Sequence, residues 1–210
     1  MTTIALFGGT GRTGHRVLAR ALVAGYDVRM LARRPEAGSI GRESLVVVTG
    51  DVLDRNAVAR TLAGADVVVS VFGHVAGSPA TLQTDGTRLI VEEMHRVGIR
   101  RIVGLSGGGV RDPHDRPRVP DRIIALLLRL FAGAVLADAE GHLTVLRDSD
   151  AEWTVVRAPR LTGRPGTGTY RVGWVGVGTG TQISRDDLAD FIITQISSTS
   201  FVRALPFVSA

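Results

Sequence analysis

Three glycines, Gly8, Gly11 and Gly14, follow the apolar run Thr3 to Phe7 at intervals of three. They open a segment, Arg12 to Ala24, in which Val17, Leu18, Ala21 and Leu22 repeat with helical spacing. A strand, a tight glycine turn and a helix in that order make a phosphate-binding device of the dinucleotide kind. Gly8 permits the turn, Gly11 lets a pyrophosphate approach the backbone, and Gly14 lets helix and strand pack closely. The unpaired N–H groups and positive dipole at the helix N-terminus attract the anion. Thr10, Arg12 and Thr13 add two hydroxyls and a cation. The plain alternative is a structural turn that needs glycine only for its positive φ. In NAD-binding chains an acid about 20 residues further on holds the ribose 2'-hydroxyl. Here that place, at the end of the second strand, holds Arg33 and Arg34, with no acid before Glu36. Guanidinium forks bind phosphate in two places, so the pattern predicts NADPH over NADH, against the alternative of a solvated arginine pair in a turn.

Other chemistry is sparse. There is no cysteine, which removes thiol nucleophiles, disulfides and thiolate metal sites, and all 25 basic residues are arginine. Without lysine there is no Schiff base and no Tyr-x-x-x-Lys pair to protonate a carbonyl as hydride arrives. Tyr26 precedes the second predicted strand, at the wrong end of a sheet, and Tyr170 lies in a late glycine-rich segment. Ser106 ends a predicted strand ahead of Gly107 to Gly109, where it is either a hydrogen-bond donor to a cofactor or substrate, or a turn serine. His74 and His114 fall on predicted loops at the carboxyl edge and read as surface histidines or as acids near neutral pH. No spacing of histidines and carboxylates supports a metal site.

The elements that position these residues alternate. Val28 to Ala32, Leu45 to Thr49, Val67 to Val71 and Arg101 to Leu105 read as strands, with helices at Arg55 to Leu62 and Thr81 to Val97 between them. A helical region at Asp121 to Asp148, with a break near Gly133, a strand at Trp153 to Arg157, a glycine-rich stretch to Thr181, a helix at Arg185 to Ile196 and a strand near Ala204 to Val208 complete the chain. This is an α/β pattern: one Rossmann-like, doubly wound parallel sheet with helices on both faces, in a single domain spanning residues 1–210. Its substrate-side elements are expected in roughly residues 106–181. The net charge of +5 is spread among acids, which argues against nucleic acid as a partner. No secretory leader is evident, so the expected location is cytoplasmic. Ile123 to Ala137, interrupted by Arg129, falls short of the roughly 18 to 20 residues that cross a bilayer. Ile123, Ile124, Leu126, Leu127, Leu128, Leu130 and Phe131 occupy nearly every face of that helix up to Val135, which implies core packing, a lid over an apolar pocket, or a subunit contact.

Five segments together carry a family resemblance: IALFGGTGRTG at Ile4 to Gly14, VTGDVLD at Val48 to Asp54, LADAEG at Leu136 to Gly141, LRDSDAEWTVVRAPRLTG at Leu146 to Gly163, and ISRDDLADFI at Ile183 to Ile192. The chain resembles the atypical short-chain dehydrogenase/reductases of the NAD(P)H-binding, NmrA-like group, including the biliverdin-IXβ reductase/flavin reductase type. The resemblance implies that Asp51 and Val52 meet the adenine, although Asp51 also reads as a cap for the helix beginning near Asp54. It places Phe72 and Gly73 beside the cofactor, Ser106 near the nicotinamide, and Pro159 on the nicotinamide side. Asp138 and Glu140 match acids of the family pattern and face either the pocket or, as a solvated helix end, the solvent. The expected activity is NADPH-dependent hydride transfer to a planar, apolar or aromatic small-molecule acceptor, a flavin or quinone, by a monomer or homodimer. A non-catalytic redox sensor of the NmrA kind is the alternative, and a nucleotide-sugar epimerase is disfavoured by the missing Tyr/Lys pair.

Overall fold

The computed structural model describes residues 1–34 and 44–210, apart from the side chains of Pro120 and Leu128. In chain order the elements are β1 (Thr3–Phe7), α1 (Gly14–Val23), β2 (Asp27–Ala32), β3 (Leu45–Thr49), α2 (Arg55–Leu62), β4 (Val67–Ser70), α3 (Leu82–Val97), β5 (Arg101–Gly107), α4 (Val119–Asp148), β6 (Glu152–Ala158), β7 (Arg160–Thr162), β8 (Arg171–Gly173), β9 (Gln182–Ser184), α5 (Arg185–Thr194) and β10 (Phe207–Ser209). Eight strands form one sheet in the order β3-β2-β1-β4-β5-β6-β10-β8. All its pairings are parallel except that of β8 with β10. The chain winds outward from β1 to β3 and returns to β4, so the order reverses between β1 and β4, the switch point at which open α/β sheets bind ligands.

Alternation along β1 explains the two-sided core. Ile4 and Leu6 join a cluster with Val17, Leu18 and Ala21 of α1 and Leu188 and Ile192 of α5. Ala5 and Phe7 point the other way, into a cluster with Val58 and Leu62 of α2, Ile90 and Met94 of α3, and Leu143 and Leu146 of α4. Each such fully buried large side chain contributes about 1.5–3 kcal/mol.

The glycine-rich stretch to Thr181 and the residues just after it contain structure that the sequence pattern did not announce. β7 and β9 pair as a separate parallel ribbon, and β8 closes one edge of the main sheet. The last strand begins at Phe207 rather than Ala204. α4 starts two residues earlier than expected and breaks at Ala132 (φ −135°, ψ 27°), one residue before Gly133. Among the described residues, its N-terminal half, before the break, contributes nothing to either core cluster. That half corrects one expectation: Ile123, Ile124, Leu126, Leu127, Leu130 and Phe131 are exposed, Phe131 at 84%, and are not core residues. Among the described residues no helix is long and apolar enough to cross a membrane.

Candidate functional site

Each expected site residue follows the carboxyl end of a parallel strand or, for Ser106, lies in its last two residues, so the topology gathers them along one edge. After β1, Gly8 adopts φ +87°, and a Cβ there would strike the backbone of Phe72. The Gly11 amide donates to the Gly8 carbonyl at 3.1 Å, and a Cβ at Gly14 would collide with that same carbonyl and with Gly9 Cα. The close packing that requires Gly14 is thus against the turn itself rather than against the strand. Gly11 is exposed, and among the described residues the N–H groups of Thr10, Arg12 and Thr13 have no acceptor. Arg185, at the start of α5, stands close to this turn: burial, then repulsion from Arg12 and Arg16, lowers its pKa from the ordinary arginine value. Arg12 and Arg185 thus add two cations beside the turn, while Arg16 is paired with Asp186 at 3.2 Å.

Arg33 and Arg34 are exposed immediately after β2, and Glu36 lies outside the described residues. Beyond β3, Asp51 does not cap α2. Its Oδ1 accepts the Leu53 amide at 2.9 Å, while Asp54 is the cap and accepts the Asn56 amide. The Phe72 ring and Val52 both lie against Gly86 of α3, where a Cβ would come within 2.9 Å of the ring and 3.1 Å of Val52. A glycine in a helix interior costs about 1 kcal/mol relative to alanine, and this close approach accounts for it.

β4 and β5 pair up to Ser70 opposite Gly104, and beyond that pair β4 gives way to the loop carrying Phe72 while β5 continues through Ser106 to Gly107. Ser106 is buried and its Oγ has no hydrogen-bond partner among the described residues. Gly73 is exposed, and half-buried Pro159 follows β6. Asp51, Val52, Phe72, Gly73, Ser106 and Pro159 thus share the edge that carries the glycine turn.

Two carboxylates differ from expectation. Asp138 is not a solvated helix end: it is buried, and its oxygens accept from the Gln83 amide (2.7 Å), the Thr84 amide (2.9 Å), Thr84 Oγ1 (2.6 Å) and His74 Nε2 (2.7 Å). Burial opposes its ionisation, but the hydrogen bonds from Thr84, Gln83 and His74 prevail and hold its pKa below the usual carboxylate value. Gly141 permits the approach, because a Cβ there would strike Thr84 Oγ1. Glu140 is exposed, but it lies within α4, eight residues before the helix ends, and so is not a helix end either. His74, in turn, is partly buried rather than a surface histidine, whereas His114 is exposed and packs edge-on against Trp174.

Tyr170 packs edge-on against Phe191 of α5, in the core of the opposite face from α4. Burial, then Asp190 and Asp187, raise its pKa above the ordinary tyrosine value, which makes it a poor proton donor. Tyr26 packs against the same core.

The sequence reading missed the group that holds the loop after β5. Arg157 of β6 is fully buried and donates to Asp115 through both Nη atoms (2.8 and 2.9 Å), and to the Leu205 (3.0 Å) and Val110 (2.8 Å) carbonyls, above the Phe207 ring. Asp115 also accepts the Val175 amide, and Asp112 accepts Trp174 Nε1 and His114 Nδ1. The available signal was an arginine inside the apolar run Thr154 to Ala158.

Residues 8–199 match the NAD(P)H-binding family. A Streptomyces griseus protein named (4-alkanoyl-5-oxo-2,5-dihydrofuran-3-yl)methyl phosphate reductase is 31% identical over 162 residues, 73% of this chain, and the match spans 46% of that relative, less than half its length. Two solved structures share the fold. A short-chain dehydrogenase/reductase from Veillonella parvula in complex with NADP has a TM-score of 0.76 at 20% identity, covering 100% of this chain and 94% of its own. An anaerobillin reductase from Escherichia coli O157:H7 also has a TM-score of 0.76, at 19% identity, covering 100% and 97%. With the glycine turn, the reversed strand order and this match in place, the chain belongs to the NAD(P)H-binding family.

Proposed function

We propose that this protein is an NADPH-dependent reductase that passes hydride to a planar, conjugated small molecule, such as a flavin or quinone, without a Tyr/Lys pair. The observation that carries the reading is Ser106. A buried hydroxyl without a partner costs about 1–3 kcal/mol, and a donor at the carboxyl end of β5 gains its partner from a bound ligand. The turn residues Gly8, Thr10, Gly11, Arg12, Thr13 and Gly14 would hold the pyrophosphate. Asp51, Val52, Phe72 and Gly73 would line the adenosine half and Pro159 the nicotinamide half, with Arg33 and Arg34 on the 2'-phosphate. The bound nicotinamide supplies a hydride, and the protein's part is to orient the acceptor and exclude water. Residues 106–181 form the acceptor side, with the apolar half of α4 suiting an apolar or aromatic molecule.

The test measures NADPH oxidation against flavins, quinones and conjugated ketones, together with an NADPH binding titration. Turnover is expected, and Ser106→Ala should lower kcat/KM about 10-fold or more while leaving Tm unchanged or raised, since it removes an unsatisfied hydroxyl. Binding without turnover would favour the sensor reading, and a turn serine would leave kcat/KM untouched.

A second expectation concerns the cofactor. Replacing both Arg33 and Arg34 by alanine should weaken NADPH binding about 100-fold, since charge-assisted bonds contribute about 1.5–3 kcal/mol each, with NADH binding nearly unchanged. Equal losses for the two cofactors would overturn the assignment of these residues.

A further inference from the structure

We propose that His74, anchored by Asp138, is the proton donor of this reaction, and that the acceptor it serves is a carbonyl compound, a quinone or conjugated ketone. The proposal rests on the reductase reading above and deepens it. Its ground is the geometry of two residues from separate elements. Asp138 is fixed by three donors from the first turn of α3, so it cannot swing, and its Oδ2 holds His74 Nε2 at 2.7 Å. An imidazole fastened through one nitrogen to a buried carboxylate can carry a proton on the other, with its positive charge stabilised from behind. Among the described residues, His74 Nδ1 has no partner, and the side chain keeps 18% exposure. His74 lies two residues beyond Phe72, on the edge shared with Ser106 and the glycine turn.

The charged surroundings are simple. From α4, Asp138 faces His74. The next ionisable group along that helix, Glu140, is exposed, and His142 is bonded to Thr87 and held neutral by burial. On α3, Asp85 is engaged by Thr81 and Arg88. The His74 segment from Phe72 to Ala80 contains no other ionisable side chain.

The step balances with NADPH as reductant. The acceptor carbon gains the hydride, its electron pair moves to the carbonyl oxygen, and the Nδ1–H bond of the His74 imidazolium breaks as an O–H bond forms. NADP⁺, the reduced acceptor and a neutral His74 still bonded to Asp138 remain, and solvent returns the proton.

The experiment compares two acceptors. A 1,4-naphthoquinone needs a proton when it is reduced, whereas an N-methylacridinium cation takes hydride alone. His74→Gln should lower naphthoquinone turnover about 100-fold, within the usual range for losing a general acid, and leave acridinium turnover unchanged. NADPH affinity, read by fluorescence titration, should also be unchanged. Equal losses with both acceptors would reduce His74 to a positioning residue and overturn the proposal, as would an undiminished naphthoquinone rate. In both cases wild-type turnover leaves the reductase reading standing. If the wild type binds NADPH and reduces neither acceptor, the reductase reading falls, and the proton donor with it.

Discussion

Asp115→Ala should destabilise the fold by about 3–5 kcal/mol, the usual cost of leaving a buried charge without its partner. For a chain of this size that corresponds to a fall in Tm of roughly 10 °C. Arg157 is fully buried, and of the four hydrogen bonds it donates, only the two to Asp115 reach a formal negative charge. Carbonyl oxygens and the Phe207 ring stabilise a guanidinium only in part, and arginine does not escape by losing its proton. The opposite change is expected to be milder. In Arg157→Met the Asp115 carboxylate keeps the Val175 and Asp112 amides and reaches water through its 11% exposed surface, while methionine fills much of the vacated space. Urea unfolding of the two variants decides the matter. If Arg157→Met is as damaging as Asp115→Ala, the effect comes from lost packing and not from an unpaired charge. Asp115→Ala should also free the segment around Trp174 to Val177, which the same carboxylate joins to the loop after β5.

What the sequence made legible follows from range. The glycine turn, the alternating elements and the break in α4 are local patterns in which spacing alone carries the information, and the structure agrees with them to within a few residues. Asp51 shows the limit of such reasoning, because two aspartates three residues apart both suit a cap and only the local geometry selects Asp54. Asp138 shows another. Its three donors on α3 lie more than 50 residues away, so composition near Leu136 to Gly141 suggested only an acid on a helix. The overlooked signal was glycine in helix interiors: Gly86 and Gly141 mark where Phe72 and Thr84 approach too closely for a side chain. The apolar half of α4 was read correctly as unusual for a surface helix, but its exposure could not be inferred from an isolated helix. Helix-period patterns tell which residues share a face, not what that face meets.

His142 should make the protein acid-labile in a window separate from that of its carboxylates. Its Nδ1 meets Thr87 Oγ1 at 3.2 Å, its Nε2 has no described partner, and burial, opposed by the charge of Asp138, lowers its pKa to about 4. The native state therefore keeps the ring neutral where an unfolded chain, with a histidine pKa near 6.5, already binds a proton. Stability from this group is fully present above about pH 6.5 and is lost as pH falls toward 4, by about 3 kcal/mol in all. Asp138, whose pKa is depressed, adds its own loss only as pH falls below the ordinary carboxylate range, so the two effects separate. His142→Gln keeps an acceptor for Thr87 and removes the titration. The variant should be less stable than wild type at pH 7 and should lose less on acidification, so that the gap in unfolding free energy closes by about 3 kcal/mol between pH 7 and pH 4. Urea titrations at four or five pH values measure that gap directly. Parallel curves for the two proteins would mean that native His142 takes up its proton as readily as the unfolded chain does. The neutral ring beside Thr87 would then have to be abandoned, and with it the argument that Asp138 has its charge free for His74.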